Sequence, residues 1–116
     1  MAQPFLSIVI PAYNEETRIA QTLDTVVSYV RSQGYTWEVV VADDGSQDRT
    51  ATLVEATARE NPEIRLVSLE HRGKGWAVKA GMLEAQGKYR FLADADLSMP
   101  IEQMERFLPP RLTDFD

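Results

Sequence analysis

The sequence predicts a mostly parallel α/β sheet covered by helices on both faces. Two observations carry this: short apolar, β-branched runs alternate with amphipathic segments, and each strand-like run empties into a polar cluster. In an open parallel sheet the carboxyl ends of the strands are where ligands bind. The polar clusters therefore mark a candidate site.

Leu6–Ile10 is a compact apolar run suited to a strand buried on both faces. Ile19, Leu23, Val26, Val27 and Val30 recur at helical spacing, predicting a helix over about Glu16 to Ser32 that stops at Gln33-Gly34. Trp37–Ala42 is the second strand. A helix carrying Leu53, Val54 and Ala58 follows, capped by Ser46 or Asp48 and ended near Asn61-Pro62. Ile64–Leu69 is the third strand, His71-Arg72-Gly73-Lys74-Gly75 a turn, and Trp76 to Ala85 the third helix, broken before Gly87. Tyr89–Ala93 is the fourth strand. After Asp94-Ala95-Asp96, Ser98 or Pro100 opens a short helix with Ile101, Met104, Phe107 and Leu108 on one face, closed by Pro109-Pro110.

Right-handed crossovers favour the strand order 3-2-1-4. The winding then reverses between strands 1 and 4, and that crevice gathers Tyr13, Asp44, Asp94 and Asp96. At 116 residues the chain holds one domain, 1–116. A sheet ending on strand 4 leaves an open edge, which points to the N-terminal part of a larger protein and to self-association through that edge.

Composition narrows the chemistry. With Lys+Arg 12 against Asp+Glu 18, the net charge of −6 argues against a nucleic-acid surface. Without cysteine, disulfides and thiolate metal sites are excluded, so a metal would be held by oxygen ligands or by the sole His71, and oxygen-only ligation points to Mg²⁺ or Mn²⁺. The opening Met1-Ala2-Gln3-Pro4 carries no signal-peptide pattern and no apolar run is long enough to span a bilayer. The expected location is cytoplasmic, with membrane association left to a longer form.

Asp94-Ala95-Asp96 is the sharpest motif. In an extended stretch, residues i and i+2 share a side, so both carboxylates can face one cation that bridges the phosphates of a nucleotide diphosphate. A lone D-x-D is more often a solvated acidic turn; its place after a buried strand and beside other polar strand ends favours the metal. In Asp43-Asp44-Gly45-Ser46, one Asp can accept a hydrogen bond from a base while Gly45 and Ser46 shape the turn. Pro11-Ala12-Tyr13-Asn14-Glu15 offers an aromatic ring for a base and a carboxylate for a ribose hydroxyl, or serves simply as an exit loop. Lys74 in Arg72-Gly73-Lys74-Gly75 is a candidate phosphate or sugar contact, although the segment lacks the P-loop spacing. His71 reads as a surface residue, and Trp37 and Trp76 as packing residues.

Together these clusters resemble the inverting family 2 glycosyltransferases of GT-A fold, whose N-terminal half carries P-x-Y-N-E, D-D-G-S-x-D-x-T, G-K-G-x-A and D-A-D in that order. Here they stand as Pro11–Glu15, Asp43–Thr50, Gly73–Ala77 and Asp94–Asp96. The match looks most like the dolichyl- or polyprenyl-phosphate glucosyl- and mannosyltransferases. The resemblance implies a Rossmann-like nucleotide-diphospho-sugar transferase fold, with Pro11, Tyr13, Glu15, Ala42 and Asp44 holding the nucleoside. It also implies that Asp94 and Ala95 lie along ribose and diphosphate, and that Asp96 is the catalytic metal ligand assisted by Asp94. Ser98 stands where mannosyltransferase relatives often carry a Gln near the metal. The implied donor is UDP-glucose or GDP-mannose, the cofactor Mg²⁺ or Mn²⁺, and the acceptor of a full-length protein a lipid phosphate. Two other readings stand beside this one: a haloacid-dehalogenase-like phosphatase with Asp94 as nucleophile, suggested by Asp94-Ala95-Asp96-Leu97-Ser98, and a non-catalytic nucleotide-binding fragment.

Overall fold

The computed structural model describes residues 3–97 and 100–103. It contains β1 (Leu6–Ala12), α1 (Ile19–Arg31), β2 (Trp37–Asp43), α2 (Thr50–Glu60), β3 (Ile64–Ser68), α3 (Lys74–Glu84) and β4 (Tyr89–Leu92). All pairings are parallel and the order is β3-β2-β1-β4. The expected order holds, and the sheet reverses its winding at β1.

Alternation along β1 divides the core. Leu6, Ile8, Ile10 and Ala12 pack with Ile19, Leu23, Val26 and Val30 of α1 and Val54 of α2 on one face. Val9 and Val40 meet Met82 and Ala85 on the other, beneath α3. α3 approaches the sheet closely at Gly81, where an added Cβ would lie 2.5 Å from Val9 Cγ1 and 3.3 Å from Ala42 Cβ.

At the end of the sheet remote from the strand carboxyl termini, Ser7 and Glu38 sit opposite one another in adjacent strands, both buried. Ser7 Oγ donates to Glu38 Oε2 at 2.5 Å and accepts from Gly87 N at 2.7 Å. Glu38 also accepts from Gln86 N at 2.6 Å and from Arg65 Nε at 3.2 Å. A buried carboxylate is tolerated where its lone pairs are filled in this way. The network fastens the α3–β4 turn to the middle of the sheet.

Several boundaries differ from expectation. Residues 16–18 form a turn, with Glu15 O accepting from Arg18 N and Ile19 N, so α1 begins three residues later than expected. α3 begins at Lys74 rather than Trp76, because Gly73 at φ +103° supplies the break directly ahead of it. Lys74 therefore stands in the first helical turn, not in a loop. Trp37 packs partly buried against the core as expected, whereas Trp76 is 37% exposed with the Arg72 guanidinium 5.2 Å from its ring. Residues 101–103 form a short 3₁₀ turn; Ser98, Met104, Phe107, Leu108, Pro109 and Pro110 lie outside the described residues.

Candidate active site

Three strand exits converge on one cleft of about 330 Å³. β1 contributes Pro11, Tyr13 and Glu15, β2 contributes Asp44, and the exit of β4 contributes Asp94, Ala95 and Asp96. The segment after β3 adds His71 and Gly73, and Lys74 completes the wall from the start of α3. Every expected site residue except Ala42 lines this cleft. Ala42 is fully buried and its methyl faces Gly81 of α3, so its side chain supports the cleft from beneath.

The first two loops are stitched to each other. Asn14 N donates to Ser46 Oγ at 2.8 Å, and Gln47 N donates to Asn14 Oδ1 at 2.9 Å. Glu15 N donates to Thr50 Oγ1 at 2.8 Å, Glu16 N to Asp48 Oδ2 at 3.2 Å, and Arg49 N returns to Glu16 Oε1 at 2.9 Å. Asn14 takes φ +51°, a left-handed conformation that Asn tolerates better than most residues. Arg49, not Ser46 or Asp48, stands at the N-cap of α2 and makes no side-chain cap bond; Asp48 Oδ1 accepts from Thr50 N, the first helical residue, at 2.9 Å, while Ser46 serves the 13–16 loop. Desolvation opposes the ionised form of Asp48, but hydrogen bonds from Thr50 and Glu16 outweigh it and lower its pKa.

Asp44 does something other than what its position suggests. Its side chain is only 3% exposed, and both carboxylate oxygens are engaged by the segment after β3. Arg72 N donates to Oδ1 at 2.8 Å, Gly73 N to Oδ2 at 2.9 Å, and His71 Nδ1 lies 2.8 Å from Oδ2. Burial pushes its pKa up, but the two backbone N–H groups and the His71 imidazole outweigh it and hold the carboxyl below its ordinary value. Asp44 thus anchors the 71–73 segment, a role that its place after β2 does not reveal. His71 is exposed, as read from the sequence, yet it also lines the cleft: its ring stacks on Tyr13 with centroids 4.2 Å apart and planes 18° from parallel. Nothing in the local pattern distinguishes it, since the stack depends on a residue 58 positions earlier in the chain.

The acidic pair is shaped by a turn rather than by an extended strand. Ala95 and Asp96 turn, Leu97 N donates to Asp94 O at 2.9 Å, and Leu97 takes φ +48°. Alternation of side chains therefore cannot explain how the two carboxylates come to line one cleft; the turn does. Thr22 Oγ1 of α1 donates to the carbonyl of Ala95 from below, and both residues are buried. Lys74 Nζ donates to Asp94 Oδ1 at 2.9 Å. That hydrogen bond, the charge of Asp94 and, more weakly, the charge of Asp96 raise the lysine pKa.

Residues 7–113 match the profile of glycosyl transferase family 2. The chain belongs to this family. A dolichyl-phosphate beta-glucosyltransferase of Trichomonas vaginalis is 39% identical over 110 residues, covering 90% of this chain and 34% of that one. Among solved structures, a mannosyltransferase from Pyrobaculum calidifontis in complex with GDP-Man and Mn²⁺ superposes with a TM-score of 0.69 at 32% identity, covering 83% of this chain and 28% of that one. Glucosyl-3-phosphoglycerate synthase from Mycobacterium tuberculosis, in complex with Mn²⁺, UDP and glucosyl-3-phosphoglycerate, gives 0.65 at 27% identity, covering 79% and 33%. The architecture is that of the GT-A glycosyltransferases. This family 2 chain spans about a third of the length of the curated relatives it matches. Among the described residues, no helix is long and apolar enough to cross a membrane.

The donor set fits a hard divalent ion. Asp94 and Asp96 offer only oxygen, and among the described residues no group of three or more His, Asp or Glu side chains is assembled. Mg²⁺ typically takes one or two protein carboxylates, leaving its remaining positions to substrate phosphates and water. Mn²⁺ suits the same oxygen donors.

Proposed function

We propose that this chain is the donor-binding part of an inverting glycosyltransferase that passes a hexose, glucose in the first instance, from a nucleotide diphosphate to a polyprenyl or dolichyl phosphate. The observation that carries the proposal is the convergence of Tyr13, Glu15, Asp44, Lys74, Asp94 and Asp96 from separate segments on one cleft. The glucosyltransferase relatives support the sugar and the acceptor, and the nucleotide and Mn²⁺ complexes of structural neighbours support the donor and the metal.

In this reading the Tyr13 ring, held by His71, faces the base, and Glu15 on the clamped loop reaches the ribose. Asp44 keeps the 71–73 segment in place, so the cleft wall is formed before the donor arrives, which lowers the ordering cost of binding. Asp94 and Asp96 hold Mg²⁺ or Mn²⁺, which supplies neutralisation of the diphosphate as leaving group. Lys74 adds a second positive charge beside the same phosphates. An acceptor phosphate is already anionic near neutral pH and makes little demand for a general base.

Titration calorimetry with UDP, GDP and their sugar conjugates, with and without Mn²⁺, tests the proposal. Metal-dependent nucleotide binding that disappears in Asp96→Ala is expected. Binding that ignores both the metal and Asp96 overturns it. Donor binding without transfer to a polyprenyl phosphate would assign this chain to binding alone.

A further inference from the structure

We propose that Lys74 and the divalent ion are alternative counter-ions for Asp94, so that metal and nucleotide bind cooperatively through exchange of one lysine contact. This inference rests on the donor-site reading above and adds to it an order of events. Three features of the cleft support it.

Lys74 Nζ lies 2.9 Å from Asp94 Oδ1, the oxygen of a carboxylate in the acidic pair. Both side chains are well exposed, 65% for Lys74 and 43% for Asp94, so the contact is weak enough to be exchanged. The lysine is rooted in the first turn of α3 and lines the same cleft as Asp96, whose charge also acts on it. A divalent ion approaching the pair meets an ammonium already neutralising part of its charge. Displaced from Asp94, that ammonium stands in a cleft that would hold an anionic diphosphate, and the diphosphate gives it a new partner.

The consequence is a linkage. A metal ion alone must displace Lys74 with nothing to receive it, so it binds weakly. With the diphosphate present, the lysine moves from one anion to another and the penalty falls. Reciprocity then requires that metal strengthen nucleotide binding by the same factor. A lysine that merely decorated the rim would give no such coupling, and one that oriented Asp94 for the metal would give the opposite response on removal.

Mn²⁺ binding, followed by the paramagnetic resonance signal of the free aqueous ion, separates these cases with and without UDP. Lys74→Gln is expected to bind Mn²⁺ alone about tenfold more tightly than the native protein, a typical size for coupling between sites. The same variant should lose most of the enhancement that UDP confers on Mn²⁺ binding, while Lys74→Arg keeps it. Lys79→Gln, which removes another cation of α3 that does not line the cleft, controls for a general loss of positive charge and should leave the enhancement intact. Circular dichroism checks that each variant is folded. Unchanged or weaker Mn²⁺ binding in Lys74→Gln, or undiminished enhancement by UDP, overturns the inference. If no form binds UDP with Mn²⁺, the donor-site reading itself fails; if binding occurs through Asp96 but ignores Lys74, only the exchange fails.

Discussion

Thr22 in the first turn of α1 donates its hydroxyl hydrogen to the carbonyl of Ala95, the residue between the two acids of the cleft. A buried helix thus supports the acidic turn from below, 73 residues away in sequence. Removing the donor leaves a buried carbonyl without its partner. Thr22→Val should lower stability by about 1–3 kcal/mol. It should also weaken metal-dependent UDP binding, because the turn presenting Asp94 and Asp96 loses its support. Urea unfolding and calorimetry on the same variant check both; weakened stability with unchanged nucleotide affinity would show that the turn holds itself.

Asp44 gives the protein a pH signature. Its carboxyl titrates below the ordinary value in the folded chain, so the stabilisation from Arg72, Gly73 and His71 is fully present above the unfolded pKa of about 3.9 and is lost as pH falls through the lower folded value. Asp44→Asn removes this dependence and should be less stable at neutral pH by about 1–3 kcal/mol. The gap between the two forms should then narrow below about pH 4. Unfolding midpoints measured from pH 7 to pH 3 check it, and a constant gap would assign the acid sensitivity elsewhere.

The contact of α3 with the sheet leaves no room at Gly81. Alanine raises helix propensity by about 1 kcal/mol, yet its methyl would stand 2.5 Å from Val9 Cγ1. The clash wins, because the neighbour is in the packed interior under the helix. Gly81→Ala should destabilise the fold by about 1–3 kcal/mol, visible in thermal unfolding. A stabilised variant would mean that α3 sits farther from β1.

Asn14 separates two kinds of requirement. Asn14→Gly keeps the left-handed backbone accessible but loses the acceptor for Gln47 N; Asn14→Ala loses both. Alanine should therefore be the worse substitution, by about 1–2 kcal/mol, the cost of the left-handed conformation. Denaturant titration of the pair measures the difference. Equal stabilities would indicate that the side-chain hydrogen bond carries the whole effect.

Much of this molecule is legible before folding. The buried strands declare themselves through runs such as Ile8-Val9-Ile10 and Val39-Val40-Val41, and α1 through the spacing of Ile19, Leu23, Val26 and Val30. Strand order and the meeting of three strand exits follow from crossover handedness. What escapes is the individual side-chain partnerships between residues far apart in sequence. Ser7 and Glu38 are visible as polar residues inside apolar strands, but their pairing requires the register of β1 on β2. Thr22 looks like a neutral helix position, and His71 like any residue of a polar turn. Asp44 is legible as a cleft residue, but its anchoring of the 71–73 segment is not, because the three donors that engage it come from a segment nearly thirty residues later.

The reciprocal stitching of the 13–16 and 46–50 segments makes them behave as one rigid plate. Lengthening either loop alone would tear the seam, so under the proposed donor-site reading, changes of nucleotide preference are expected to come from side chains that project from the plate, Tyr13 foremost, rather than from backbone insertions. A ring exchanged at Tyr13 would then alter the face offered to a ligand while the chassis that carries it stays intact.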